Sequence, residues 1–379
     1  MSEGQFKLPM VDNHQSDSCC AGKEGAFDYR NAAEESWVTG QIETAVGPVY
    51  RIATILDYRD LLGSFKARWG VGRMGYTVPP GLYAAGNPGQ RSPVLVSANY
   101  KLSFDSLRRE LSGLDLWILV IDTKGINVWC AAGKGTFGTE EVIRMVSATR
   151  LPELLSNKTL IMPQLSAPGV TSFEVRRSCG FKVIFGPVRA ADISAFLKVG
   201  NRADPVMRRT HFGLLDRVVL TPVELTALVK PLAYFTLFLF LLNLASVILA
   251  GDIIQPAFLI RQSFSDLVPF LIALLVGAVF VPALLPFIPG RALSWKGLVL
   301  GLVWAGIYRG LPGLEAGLLE TASYFLIIPA ITAFLSMNFT GSTTYTSLSG
   351  VVKEMKIALP LIMTAAGLGL IALTLSYFV

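Results

Sequence analysis

The 379-residue chain has 52% hydrophobic residues, a mean hydropathy of +0.52 and a formal charge of +6. That apolar excess is too high for a chain soluble throughout. Four cysteines and two histidines exclude a disulfide scaffold in a reducing compartment and a histidine-rich metal centre. The positive charge suits an anionic membrane surface, and no basic–aromatic interleaving points to a nucleic acid.

Residues 1–36 are polar and read as a flexible N-terminal tail. MSEGQFKLPMVDNHQSD has no apolar core of the signal-peptide kind, so the domain that follows is expected to stay in the cytosol. Within this tail, Cys19 and Cys20 either capture a soft metal or form an incidental pair. Residues 37–228 read as a cytosolic α/β domain, opening with a glycine-rich, irregular lead-in over Trp37–Asn87 that wraps the core.

A regular alternation begins near Pro93. The apolar, β-branched runs VLVSAN, LWILVID, TLIMPQ, FKVIFGP and RVVLTP read as buried parallel strands. SFDSLRREL, TEEVIRMVSATRLPELL, GVTSFEVRRS and AADISAFLKV read as the helices between them, with Gly180 and Gly200 at C-cap positions. This predicts a doubly wound, Rossmann-like α/β fold. Thr221, Pro222 and Glu224 are expected to cap a last helix leading toward a membrane.

Residues 229–379 read as an all-α membrane domain of about five transmembrane helices: Leu232–Ala250, Leu267–Ile288, Leu298–Leu311, Leu318–Met337 and Ile357–Phe378. Most approach the ~20 residues that cross ~30 Å of hydrocarbon, whereas the third is short enough to be a buried or re-entrant helix. Arg291, Lys296, Lys353 and Lys356 lie on one side, and Arg261 and Arg309 on the other. The positive-inside rule then puts the α/β domain on the cytoplasmic side of an inner membrane. Ionisable groups are sparse, with Arg309, Glu315 and Glu320 near one loop, which speaks against a transport pathway.

After LWILVID comes the turn TKGINVWCAAGKGTFG, with Thr139 expected to cap the next helix and Glu140 and Glu141 in its first turn. The turn thus lies at the C-terminal end of a strand, where such sheets bind ligands. GKGTFG matches a dinucleotide pattern, but about ten residues separate Asp122 from Gly133, and the next strand ends in Gln164 without a carboxylate. Lys134 is followed by Gly135, which excludes a Walker loop. Cys130 stands ahead of this helical turn and near Lys134, a setting that favours a nucleophilic or metal-binding thiolate. It is equally readable as a small buried residue at a helix start. With histidines only at His14 and His211 and no D-x-H-x-x-G arrangement, Cys130 is the best-placed axial ligand for any metal cofactor, and Cys179 reads as structural.

Asn127-Val128-Trp129-Cys130-Ala131-Ala132-Gly133-Lys134 resembles, without a gap, the cap-helix motif N-[VI]-W-C-A-[AG]-G-K of the mercury-methylating corrinoid proteins, the HgcA family. GLYAAGNPG, SPVLVSANYKLSFDSLR, MPQLSAPGV and GFKVIFGPVRA also resemble the corrinoid domains of acetyl-CoA-pathway iron–sulfur proteins. The apolar tail, with NFTGSTTYTSLSG at Asn338–Gly350, resembles the mercury-methylating group. The resemblance implies a cobalamin-type corrinoid bound by residues 127–134, with Cys130 as lower axial ligand to cobalt and as catalytic residue. It further implies methyl transfer to Hg(II), giving methylmercury, and a ferredoxin-like partner with two [4Fe–4S] clusters as electron donor. A methyltetrahydrofolate-linked methyltransferase would be the methyl donor. Alternatives are a methyl carrier of acetyl-CoA metabolism, which an N-terminal four-cysteine cluster site would have supported, or a transporter or sensor with a corrinoid domain.

Overall fold

The computed structural model describes residues 32–313, 317–339 and 348–379. His14, Cys19, Cys20, Glu315 and most of Asn338–Gly350 lie outside the described residues. The chain divides into two compact units: 32–54, 78–99 and 111–185 form the first, and 55–77, 100–110 and the chain from 186 onward form the second.

The strands are β1 (Val38–Thr44), β2 (Gly47–Ile52), β3 (Gly81–Ala85), β4 (Val94–Ala98), β5 (Leu116–Ile121), β6 (Thr159–Met162) and β7 (Lys182–Phe185). The helices up to the membrane segments are α1 (Tyr58–Arg68), α2 (Lys101–Arg108), α3 (Val128–Lys134), α4 (Thr139–Ala148), α5 (Leu151–Leu154), α6 (Ser172–Cys179), α7 (Ile193–Lys198), α8 (Leu214–Val218) and α9 (Thr221–Ala227). Beyond them run α10 (Val229–Ala250), α11 (Pro256–Leu284), α12 (Leu293–Arg309), α13 (Leu318–Asn338) and α14 (Leu348–Ser376).

All seven strands form one mixed sheet in the first unit, in the order β1-β2-β3-β5-β4-β6-β7. β4, β5, β6 and β7 run parallel, as their apolar runs predict. Every residue of β5 is buried, so no alternation shows in its sequence. After β5 the chain crosses back over β4 to reach β6, making a topological switch point at the C-terminal ends of these strands. α4 packs Val142, Met145 and Val146 into the core below it, and α6 ends on Gly180 in the left-handed region.

Several expectations are corrected. The lead-in is not irregular: Val38–Ile52 forms an antiparallel hairpin whose second strand pairs in parallel with β3. β3 in turn runs antiparallel to β5, so the sheet is mixed rather than wholly parallel. RVVLTP is not a strand but spans the end of α8 and the start of α9, since a short apolar run has no period to separate the two states. The N-cap before α4 is Gly138, while the Thr139 hydroxyl accepts from the Thr171 N–H at 2.9 Å. Likewise Leu220 caps α9, and the Thr221 hydroxyl donates back to the Val218 carbonyl.

In the second unit four helices are long and apolar enough to cross a membrane: Val229–Ala250, Pro256–Leu284, Leu318–Asn338 and Gly350–Ser376. The expected third span is the 17-residue α12, too short to join them. It packs on α13 through glycines: a Cβ on Gly297 or Gly301 would meet Thr332, Ala333 or Pro329 at 2.7 Å or less. Gly-x-x-x-Gly spacing permits this close backbone approach. Asp266 lies inside α11 although hydropathy places it one residue outside a span. It accepts from Asn243 (2.9 Å), Gln262 (3.0 Å) and Tyr377 (2.6 Å), joining α10, α11 and the chain end beside a cavity of about 140 Å³. With three donors on one carboxylate, this polar cluster reads as interhelical glue.

Candidate functional site

The switch point is built from polar residues standing immediately after the parallel strands. Asn99, buried at the end of β4, accepts from the N–H groups of Thr123 and Gly125, both at 3.0 Å. Its side-chain amide donates to Asp122 at 3.2 Å. The Thr123 hydroxyl donates to the Ile126 carbonyl at 2.7 Å. This ties the loop after β5 to β4 and lets Lys124 and Gly125 turn through the left-handed region. The Asp122 N–H donates to Glu141 of α4, which also holds Arg144 through two bonds of 2.6 Å. Burial alone would raise the Asp122 carboxyl, but hydrogen bonds from Lys124 outweigh it and hold the group below its ordinary value.

The loop delivers the chain to α3. Asn127 is its N-cap, and its side-chain oxygen accepts from the Cys130 N–H at 2.8 Å. That bond satisfies one of the orphan donors of the first turn and fixes the backbone of Cys130. Ala131 and Ala132 are buried in the core, and Val128 packs against it. Trp129 and Cys130 are half-buried, while Gly133 and Lys134 are exposed. The helix stops at Gly135 in the left-handed region, and the buried Phe137 donates its N–H back to Ala131. On the other side a Cβ on Gly169 would meet the Phe137 carbonyl at 2.3 Å, so only glycine allows the loop after β6 to lie against the end of α3.

The eight residues Asn127–Lys134 therefore share one short element, with Asn127 bonded to backbone and the two alanines spent on packing. The Cys130 thiol is free and half-buried. His211 is exposed and lies in the second unit. Cys179 is also free; its thiol donates to Val175 at 3.1 Å within α6, and burial pushes it up, as befits a structural cysteine. Asn99, Thr123 and Gln164 were not singled out as site residues from the sequence. Their only signal is that each is a polar residue directly after an apolar strand or its following residue.

Among the described residues no three His, Cys, Asp or Glu side chains converge to hold a metal ion. The corrinoid that the sequence resemblance implies is a group that brings most of its metal ligands with it. Two observations fit such a group. The soft thiol sulfur of Cys130 is free, and the residue is only half-buried. Gln164, in the turn after β6, keeps a buried side-chain oxygen with no hydrogen-bond partner, an acceptor suited to an amide N–H.

Residues 66–197 match the family model for the CO dehydrogenase/acetyl-CoA synthase delta subunit. The match runs from the end of α1 through α7 and includes the whole switch point. The chain is also similar to gamma subunits of the acetyl-CoA decarbonylase/synthase complex. The Methanopyrus kandleri protein is 31% identical over 123 residues, 32% of this chain and 26% of that protein. The Archaeoglobus fulgidus protein is 29% identical over 123 residues, with the same coverage. The Methanocaldococcus jannaschii protein is 28% identical over 133 residues, 35% of this chain and 26% of its own length. The chain thus spans about a quarter of the length of these relatives.

Proposed function

We propose that the first unit binds a corrinoid at the switch point, with Cys130 as lower axial ligand, and that the chain transfers a methyl group to Hg(II) to give methylmercury. The observation that carries this reading is the half-buried, free Cys130 in the first turn of α3, its backbone fixed by Asn127. The match to the delta-subunit family over 66–197 supports a methyl-carrying role of the same general kind. Of residues 127–134, Trp129, Cys130, Gly133 and Lys134 would face the cofactor over the buried Ala131 and Ala132, with Gln164 as acceptor.

A bound corrinoid supplies the cobalt that carries and releases the methyl group. Hg(II) is an electrophile, so it would take methyl with its bonding pair, or as a radical together with one electron from a ferredoxin-like partner. Cys130 would hold the group through its sulfur, and as an anionic thiolate it would supply a strongly electron-donating ligand. The Asn127 cap keeps the donor's backbone from fraying. A ferredoxin-like protein with two [4Fe–4S] clusters would return the electrons, and a methyltetrahydrofolate-linked methyltransferase would supply methyl. The four apolar helices would anchor the chain in an inner membrane, and the basic residues ahead of α10 (Arg202, Arg208, Arg209, Arg217 and Lys230) favour the cytoplasmic side for the first unit.

The test is anaerobic purification of the whole chain, its visible spectrum, and methylmercury formation from Hg(II). A corrinoid spectrum that shifts in Cys130→Ala, together with loss of methylmercury, is expected. Full activity in that variant, or a colourless protein that binds NAD, overturns the reading. A second reading, a methyl carrier of acetyl-CoA metabolism, draws on the gamma-subunit similarity. It predicts corrinoid methylation without methylmercury formation, even in the unsubstituted chain.

A further inference from the structure

α1 is inside-out for a solvated helix. It turns a carboxylate inward: Asp60 is 4% exposed and bonds Lys101 at 2.7 Å and Arg108 at 2.5 Å. Its outer face carries Tyr58 (70% exposed), Leu61 (60%), Leu62 (48%), Phe65 (59%) and Trp69. These fall at i, i+3, i+4, i+7 and i+11, a single apolar stripe down one face. Scattered exposed apolar side chains are ordinary, but a contiguous aromatic and aliphatic stripe marks a surface that is covered in use.

Three observations say what covers it. The first is position. Gly70, just past α1, lies against α9, where a Cβ would stand 3.2 Å from the Thr226 hydroxyl and 3.6 Å from Val223. Thr226 precedes the first residue of α10 by three positions, so α1 is held where that apolar helix begins. The second is charge. Arg59 and Lys66 flank the stripe on one side and Arg68 on the other, while Asp60 is buried and paired and Asp57 serves as the N-cap. Arg73 and Arg109 lie close enough to Arg68 that, after burial, their like charge lowers it further.

The third is a matching patch at the same end of the bundle. α8 exposes Leu214 (55%) and Leu215 (78%), while Arg217 donates to the Pro282 and Ala283 carbonyls at the C-terminal end of α11. α11 packs beside α10 and runs back toward its start. Two short helices thus direct apolar side chains outward around one end of the apolar bundle, with basic side chains beside them.

We propose that α1 lies in the headgroup layer of an anionic membrane leaflet, beside the entry of α10, with the Tyr58–Leu61–Leu62–Phe65–Trp69 stripe toward the acyl chains. Rings seated at the headgroup level, aliphatic side chains below them and basic flanks on acidic headgroups are the physical requirements of an interfacial helix. The inference rests on the membrane-spanning reading of α10, and its test separates the two.

In the full chain, Phe65→p-benzoylphenylalanine is reconstituted into phosphatidylcholine vesicles with and without phosphatidylglycerol, irradiated, and its peptides are weighed. Leu237→p-benzoylphenylalanine, on an exposed face of α10, reports the span. Lipid adducts are expected at both positions. Removing phosphatidylglycerol should lower the yield at position 65 by about threefold or more and leave position 237 unchanged. Adducts at 65 to protein, or none there while 237 yields lipid, overturn the inference. A yield at 65 indifferent to phosphatidylglycerol overturns the anionic assignment. Failure at both positions overturns the membrane-spanning reading, and this inference with it.

Discussion

α3 and α1 are both short helices that open on a side-chain cap, Asn127 in one and Asp57 in the other. Beyond the cap they are opposites. α3 buries Ala131 and Ala132 and leaves a free, half-buried cysteine beside them, so packing energy positions the proposed ligand. α1 buries Asp60 in a four-residue ionic network with Lys101, Asp105 and Arg108, and leaves its apolar stripe outside. Apolar burial is tolerant of direction, whereas a buried ion pair is right only in one arrangement. The rigid polar anchor thus fixes the orientation of a surface, and the apolar anchor fixes the orientation of a site.

The strongest way to break this contrast is at Asp60. Asp60→Ala leaves Lys101 and Arg108 with one carboxylate between them, a buried net positive charge. Loss of about 3–5 kcal/mol is expected in denaturant unfolding, in line with removal of one partner of a buried pair. The network also sets an acid limit. Burial by itself would raise the Asp60 carboxyl, but hydrogen bonds from Lys101 and Arg108 hold it down to about 2 from 3.8. A lowered folded value means the stabilisation is intact above about pH 4 and drains away as pH falls toward 2. Asp60→Asn should flatten the pH dependence of unfolding in that window.

Cys130→Ala comes next. It removes the proposed donor without touching the core, so a loss of more than about a hundredfold in methyl transfer, near 2.7 kcal/mol in barrier, is expected with stability nearly unchanged. A parallel fall in stability would mean that Cys130 is a packing residue after all.

The two helices were unequally legible. The α3 stretch stood out because its glycines and cysteine follow an unmistakable strand, but its residues read as a turn, and only the family resemblance implied that Val128–Lys134 is a helix; β4 to β7 stood out as β-branched runs. β3 did not: Gly-Leu-Tyr-Ala-Ala carries weak strand propensity and, being buried on both faces, has no alternation. α1 carries a readable apolar period, but that its apolar face turns outward was hidden, because the charged partners of Asp60 lie 41 and 48 residues away. Asn99 and Gln164 are single polar residues whose roles depend on which strands become neighbours, and no local pattern carries that. Asp266 was missed because a hydropathy window begins at the first apolar residue, whereas the helix begins eleven residues earlier, at Pro256.

Smaller effects sharpen the comparison. Asn127→Ala removes the α3 cap and should cost about 1 kcal/mol, with methyl transfer falling about tenfold as the Cys130 backbone loosens. Asn127→Asp keeps an acceptor for the Cys130 N–H and should restore most of both. A cap that mattered only to stability would lower the unfolding midpoint and leave the rate per folded molecule unchanged.

The smallest effect belongs to the face of α1. In detergent, Phe65→Ser should change stability by no more than about 0.5 kcal/mol, because the ring is 59% exposed and the Asp60 network on the opposite face is untouched. In anionic vesicles the same substitution removes apolar area from the proposed lipid contact, and proteolysis near α1 should then quicken. Equal effects in the two media would mean that Phe65 supports the protein rather than the membrane contact. A difference confined to vesicles is what an inside-out helix anchored by buried charge requires.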